Sequence, residues 1–357
     1  MKVDDYVTLG RSGLRVSPVC LGTMTFGTDW GWGTDEVTAR ALFDRYLDAG
    51  GNFFDTADAY TGGKSEEWLG RFVKARGLRD RAVLATKFTF GAEAGNPNAG
   101  GNGRKNIHRA VEGSLRRLGS DYIDLYWLHC WDMHTPVEEV ASTLSDLVRS
   151  GKIRYVGLSD VPAWYAARYQ SIAERFGYER PIALQLEYSL IERSIEREHV
   201  PFAREFGLGV LPWSPLASGF LAGKYSRGEQ GSSGEGRIEA IKDSTNPVFE
   251  RFARPSDKSW GTLAVVRSVA ERLGRTPAEV ALSWVFGQPG VTATLLGATK
   301  LSQLESNLNA LELALPDELR QELDSVSRLE SVHPYMYFGE VFQGMIHGGA
   351  RVHSWAP

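Results

Sequence analysis

The chain has 357 residues, 42% of them hydrophobic and 24% charged, with a formal net charge of −4. This is a globular composition, long enough for one large core or two medium ones, and the lack of a basic run speaks against a nucleic-acid partner. The two cysteines, Cys20 and Cys130, have neither CxxC nor metal-ligand spacing, so no disulfide framework and no metal centre are expected. No apolar run approaches the ~20 residues that span a bilayer, and the polar first residues do not read as a signal peptide. A cytoplasmic location without membrane insertion is the expectation.

In chain order, Tyr6 to Ser17 alternates apolar and polar residues around Arg11-Ser12-Gly13, which predicts a hairpin. One unit then recurs: a short run rich in β-branched and aromatic residues, followed by a longer stretch with helical periodicity. Strands are predicted at Val19–Thr23, Phe53–Ala57, Val83–Phe88, Ile123–His129, Arg154–Ser159, Ala183–Tyr188, Gly209–Ser214 and Ala293–Gly297. Helices are predicted at Asp35–Ala49, Ser65–Ala75, Lys105–Leu118, Pro136–Ser150, Pro162–Phe176, Ile195–Phe206, Thr262–Leu273, Pro277–Phe286 and Leu301–Ala310. Thr135-Pro136 and Thr276-Pro277 each place a proline at a first helical position.

Eight strands alternating with helices imply a parallel sheet. No GxGxxG follows the first strand, where Met24-Thr25-Phe26-Gly27 stands instead, so an open dinucleotide-binding sheet is disfavoured. The expected fold is α/β, a single (β/α)8 TIM barrel with its core over 18–312. Three stretches read as long loops: 89–104, 217–257 after the seventh strand, and the C-terminal tail 331–357.

Polar groups gather where the predicted strands end. Asp55 and Tyr60 follow the second strand, Lys87 closes the third and His129 closes the fourth. A barrel converges these ends on one mouth. Taken singly, each residue has a plain structural reading: a turn cap, a loop aromatic, a solvated lysine, a hydrogen-bonded core histidine. Together they suit one chemistry. Reducing a carbonyl with hydride needs a proton donor at the oxygen as negative charge develops. Tyrosine can serve if a lysine cation lowers its pKa, and a paired aspartate keeps that lysine charged. A neutral histidine orients the carbonyl or relays the proton.

Further motifs follow the same order along the chain: Gly13-Leu14-Arg15-Val16-Ser17, Leu21-Gly22-Thr23-Met24-Thr25-Phe26-Gly27, Phe54-Asp55-Thr56-Ala57, Tyr126-Trp127-Leu128-His129 and Gly151-Lys152-Ile153-Arg154. On these residues the chain resembles the aldo-keto reductase superfamily over nearly its whole length. It is most similar to the microbial group that also includes the β subunits of voltage-gated potassium channels. The resemblance implies that Asp55, Tyr60, Lys87 and His129 form the catalytic tetrad, with Tyr60 the general acid, and that NADPH lies extended across the barrel mouth.

By the same resemblance, Ser159, Asp160 and Gln185 fall at the nicotinamide carboxamide, and Trp213, followed by Ser214, falls where an aromatic stacks on the nicotinamide. Leu216, Ser218, Gly219 and Lys224 match the loop over the pyrophosphate, within a 217–257 segment that covers the cofactor. Gly297, Thr299, Lys300, Gln303 and Asn307 match the adenosine end, and Gly22, Thr23 and Met24 complete the set. Lys300 at a helix start opposes the dipole, which favours a role at the 2′-phosphate and hence NADPH over NADH.

The family's usual pair at the carboxamide is Ser-Asn, whereas Ser159-Asp160 stands here. An ionised aspartate only accepts hydrogen bonds, so weaker cofactor affinity than in an Asp160→Asn variant is expected. Phe26, Trp30, Trp32, Phe88 and Trp131 are candidates for the substrate pocket, with Met24 and the tail aromatics Tyr335, Tyr337 and Phe338 beside them. The expected activity is reversible, NADPH-dependent reduction of an aldehyde or ketone, the substrate being a sugar, secondary-metabolite or xenobiotic carbonyl. The alternatives are a redox-sensing NADPH-binding subunit with slow turnover and a Schiff-base lyase using Lys87. A homo-oligomer is left open.

Overall fold

The computed structural model describes residues 1–228, 231–233, 236–241 and 252–352. Eight parallel strands form one sheet: β1 (Val19–Gly22), β2 (Phe53–Asp55), β3 (Val83–Phe88), β4 (Ile123–Leu128), β5 (Ile153–Ser159), β6 (Pro181–Glu187), β7 (Gly209–Trp213) and β8 (Thr294–Leu296). β8 pairs with β1, and a parallel bridge between Val210 and Val291, with the Thr292 N–H donating to the Val210 carbonyl at 2.9 Å, brings the ring round to β7. The fold is a (β/α)8 TIM barrel.

Strand periodicity divides the side chains into two packing layers. Cys20, Phe53, Val83, Ala85, Leu125, Trp127, Ala183 and Leu211 point inward and pack together. Their neighbours Leu21, Phe54, Leu84, Tyr126 and Leu184 point outward against the helices. The barrel is filled rather than hollow. Gly157 shows how tightly: a Cβ there would meet the Trp127 indole at 2.2 Å. β5 takes a register shift between Val156 and Gly157, beside the strand that carries that indole.

The helices enclosing the strands are α1 (Glu36–Asp48), α2 (Lys64–Ala75), α3 (Arg104–Leu118), α4 (Val137–Arg149), α5 (Ala163–Phe176), α6 (His199–Phe206), α7 (Asp257–Leu273), α8 (Pro277–Phe286), α9 (Leu301–Asn309) and α10 (Asp317–Ser327). α8 starts on a capping box between Thr276 and Glu279 with Pro277 in the first turn. Pro136 departs from its expected place: it is extended, at ψ 139°, and caps α4 rather than opening it. α6 begins at His199 rather than Ile195, because Pro201 lacks an N–H and tolerates only first-turn positions. α7 begins five residues before its predicted start, since the Ser256 side chain accepts from the Ser259 N–H and caps it.

The predicted hairpin is present, with Val7–Thr8 antiparallel to Arg15–Val16. Leu9 and Val16, both fully buried, join the inner layer and close the barrel floor. Its turn is pressed against the barrel: a Cβ on Gly10, at φ +58°, would lie 2.4 Å from the Ile182 carbonyl oxygen. Within 217–257 the described residues form a 3-10 turn at Ala217–Ala222, a small hairpin of Ser226–Gly228 with Gly231–Ser233, and a short helix at Arg237–Ile241. The rest of that stretch up to residue 251, and tail residues 353–357, lie outside the described residues. The described tail forms a 3-10 turn at Tyr335–Phe338 and a helix at Glu340–Ile346.

Candidate active site

Asp55, Lys87, Gln185 and Trp213 sit two positions beyond the inward-facing Phe53, Ala85, Ala183 and Leu211. The same alternation that fills the barrel therefore aims these side chains at its upper end. Asp55 and Lys87 are fully buried and form an ion pair. The Lys87 Nζ also donates to the Thr56 carbonyl at 2.8 Å and to the Tyr60 hydroxyl at 3.3 Å. The Gln185 amide donates to the second Asp55 oxygen at 3.0 Å. His129 stands edge-on to Tyr60, ring centroids 5.9 Å apart. The four candidate catalytic residues thus converge.

Electrostatics sharpens the arrangement. Burial works to neutralise Lys87, but the attraction of Asp55, with Tyr60, overturns this and holds the ammonium charged. Burial raises the Tyr60 pKa, and Lys87 only partly opposes it. This corrects the expectation of a lowered value: desolvation of a phenolate inside the barrel outweighs the cation, so Tyr60 keeps its proton. His129 is held neutral, first by burial and then by Lys87. Asp160 is exposed at the rim, yet the surrounding walls desolvate its carboxylate and push its pKa up to about 7, against a 3.1 Å bond donated by the Trp213 indole.

Backbone strain concentrates at this end. Among the described residues, the non-glycine residues with positive φ are Thr61, Thr89, Met133, Asp160, Ser214, Ala217 and Ser218. Every one lies just beyond the C-terminal end of a barrel strand. Such conformations persist where surrounding structure enforces them, commonly at functional sites.

The remaining candidates divide by placement. Ser159 is buried and its side chain bonds the neighbouring Asp160 carboxylate, while the buried Ser218 Oγ lacks a partner among the described residues. Ser214 accepts from the Ser218 N–H at 2.9 Å, which shapes the turn carrying Leu216 and Gly219. Lys224 is brought near Lys300, and partial desolvation together with that like charge lowers its pKa. The Gln303 side chain accepts from the Thr299 N–H at 2.9 Å, and Asn307 is buried in α9. Gly22 and Gly297 lie at the ends of β1 and β8. Thr23 is fully buried, its hydroxyl donating to the Asp55 carbonyl at 3.0 Å and facing Ser65, so it braces β2 from inside.

Of the pocket candidates, Trp30 stands edge-on to Tyr60 at 6.2 Å and contacts Trp32 at 5.4 Å. Trp131 packs edge-on to Trp164 at 5.2 Å. Phe26 and Phe88 are corrections: both are fully buried in the outer core, against Phe72 and Tyr126, and face no opening. Phe88 ends β3 in the outward-facing layer, and Phe26 packs in the turn that follows β1.

Two residues at the mouth escaped sequence reasoning. Phe90 lies edge-on to His129 at 4.7 Å. Arg237 places its guanidinium 4.0 Å over the Trp32 ring and 3.8 Å from the Met24 sulfur, with its pKa lowered to about 10 by burial. Neither sits in a periodic segment, so no pattern marks it. Among the described residues no group of His, Cys, Asp or Glu is arranged to hold a metal, and no helix is long and apolar enough to cross a membrane.

Known proteins bear on this geometry. The norsolorinic acid reductase of Emericella nidulans is 36% identical over 337 residues, 92% of this chain and 83% of that protein. The NADP(+) aryl-alcohol dehydrogenase of Phanerodontia chrysosporium is 32% identical over 341 residues, 92% and 87% respectively. A probable voltage-gated potassium channel subunit beta of Oryza sativa subsp. japonica is 35% identical over 326 residues, 90% and 96%. The Aldo/keto reductase family model matches residues 18–328. A barrel with these relatives and that match is an NAD(P)-dependent oxidoreductase of the carbonyl-reducing kind: the chain belongs to the aldo/keto reductase family.

Proposed function

We propose that the chain reduces an aromatic aldehyde or ketone with NADPH, with Tyr60 as general acid. The observation that carries this reading is the Lys87 ammonium, buried and held charged between Asp55 and the Tyr60 hydroxyl. When bound, the nicotinamide supplies a hydride to the carbonyl carbon. The protein's part is the proton: Tyr60 donates from its hydroxyl to the carbonyl oxygen, and Lys87 stabilises the phenolate left behind. Neutral His129 offers a ring N–H to the same oxygen without competing as an acid. A lysine kept protonated is no nucleophile, which disfavours Schiff-base chemistry.

The residues fit the cofactor. The Ser218 Oγ, in the turn after Trp213, is a buried polar atom without a partner among the described residues. Lys224 and Lys300 are like charges brought together, an arrangement an anion would relieve. Lys300 toward a 2′-phosphate favours NADPH, and one relative is named for NADP(+). An aromatic substrate is supported by Trp30, Trp32, Phe90 and Trp131 around the mouth, and by a relative named as an aryl-alcohol dehydrogenase.

NADPH oxidation followed by absorbance with aromatic aldehydes tests the reading. Wild type should consume NADPH, and Tyr60→Phe should lose about 10² or more in rate. Equal rates would remove Tyr60 from the proton step. Tight NADPH binding with negligible turnover on every carbonyl would favour the redox-sensing subunit instead.

A further inference from the structure

A cavity of about 440 Å³ opens between the ends of β4, β5 and β6. Trp131, Met133, Val161 and Ile195 form apolar walls, and Asp160, Glu187 and Glu192 supply carboxylates. It shares Asp160 with the candidate active site, and Trp131 lies two residues past His129. Asp160 also interacts electrostatically with Tyr60 and Lys87, so the cavity adjoins the reaction centre.

The walls are built rather than incidental. Trp131 is backed by Trp164, half-exposed, and by Tyr165 at 6.2 Å. Met133 is 70% exposed and holds φ +64°, a conformation that costs methionine more than it would cost asparagine or aspartate. Its turn is fixed by Asp132, which accepts from the Thr135 N–H at 2.9 Å, the Thr135 hydroxyl at 2.6 Å and the Asn102 N–H at 2.8 Å. Across the cavity His199 bonds the Val161 carbonyl oxygen at 2.8 Å, tying α6 to the end of β5. An exposed, strained methionine opposite an indole, on a rigid turn, is a contact surface for something flat and apolar.

Resting on the reductase reading above, we infer that this cavity is a distal subsite for an extended aromatic carbonyl substrate. The reacting ring lies at Tyr60, and a second ring fused to it lies between Trp131 and Met133. Glu187 and Glu192 at the rim retain acceptor capacity whatever else they bond, so the subsite favours a far ring carrying hydroxyl donors.

The test compares benzaldehyde, 2-naphthaldehyde, 6-hydroxy-2-naphthaldehyde and 6-methoxy-2-naphthaldehyde by kcat/KM, in wild type and Met133→Asp. Aspartate adopts the left-handed conformation at residue 133, so the variant folds. Wild type should favour naphthyl over phenyl by about tenfold, the scale of one more buried ring, and hydroxy over methoxy by a few-fold. Met133→Asp should abolish the naphthyl advantage and leave benzaldehyde within about twofold. Benzaldehyde reduced with no naphthyl preference, or a preference indifferent to Met133→Asp, overturns the subsite and leaves the reductase reading standing. If no aldehyde is reduced, the reductase reading fails first. Quenching of tryptophan fluorescence by 2-naphthalenemethanol then decides the cavity alone, and binding no tighter than benzyl alcohol overturns it.

Discussion

Asp160 stands at the exposed rim, bonded by the Trp213 indole, and its placement sets a pH dependence. A carboxyl with a pKa near 7 is protonated below that pH and ionised above it. Protonated, it both donates and accepts, as asparagine would; ionised, it only accepts. Asp160→Asn should therefore bind NADPH about three- to tenfold more tightly than wild type at pH 8, the worth of one hydrogen bond, and the gap should close by pH 6. Titration of NADPH fluorescence at both pH values reads this directly, and weaker binding by the variant at pH 8 would refute it. The identity of such residues was legible because strand alternation and chain order place Asp55, Lys87 and His129 without a structure. The direction of the Tyr60 shift was not: it depends on how completely the barrel excludes water, which no spacing reveals. Arg237 was invisible for a related reason, since it reaches the mouth on a short helix inside an irregular stretch.

Among the elements, the N-terminal hairpin contributes to stability through its buried face. Leu9 is fully buried with Val16 against the innermost layer. Leu9→Ala would open a cavity in a floor too constrained to collapse, at about 2–5 kcal/mol, visible as a lower urea midpoint. Far from the mouth, it should leave kcat unchanged in the folded fraction; an unchanged midpoint would mean the floor is not packed as described. The hairpin and all eight strands were readable from alternation and β-branched runs. Helix starts were less so, because Pro201 and Ser256 act through local backbone chemistry that periodicity overlooks. α10 was missed, although its Asp324 accepts from the buried Trp284 indole at 3.0 Å.

For the whole molecule, charge placement matters more than charge total. The chain carries a net −4, yet Lys224 and Lys300 are gathered at one side of the mouth. NADPH affinity should fall as ionic strength rises, more steeply than NADH affinity, and Lys300→Met should raise the NADPH Kd by about tenfold while barely changing that for NADH. Equal salt slopes for the two cofactors, measured by fluorescence titration, would place the 2′-phosphate elsewhere. The sealed floor has a kinetic counterpart. With Leu9 and Val16 packed over the floor and the interior filled above them, the reaction centre can be reached only from the mouth. On the proposed reading, a dinucleotide whose reactive ring seats deepest should arrive ahead of the carbonyl compound and depart after the alcohol. Product-inhibition patterns should carry the imprint of that queue.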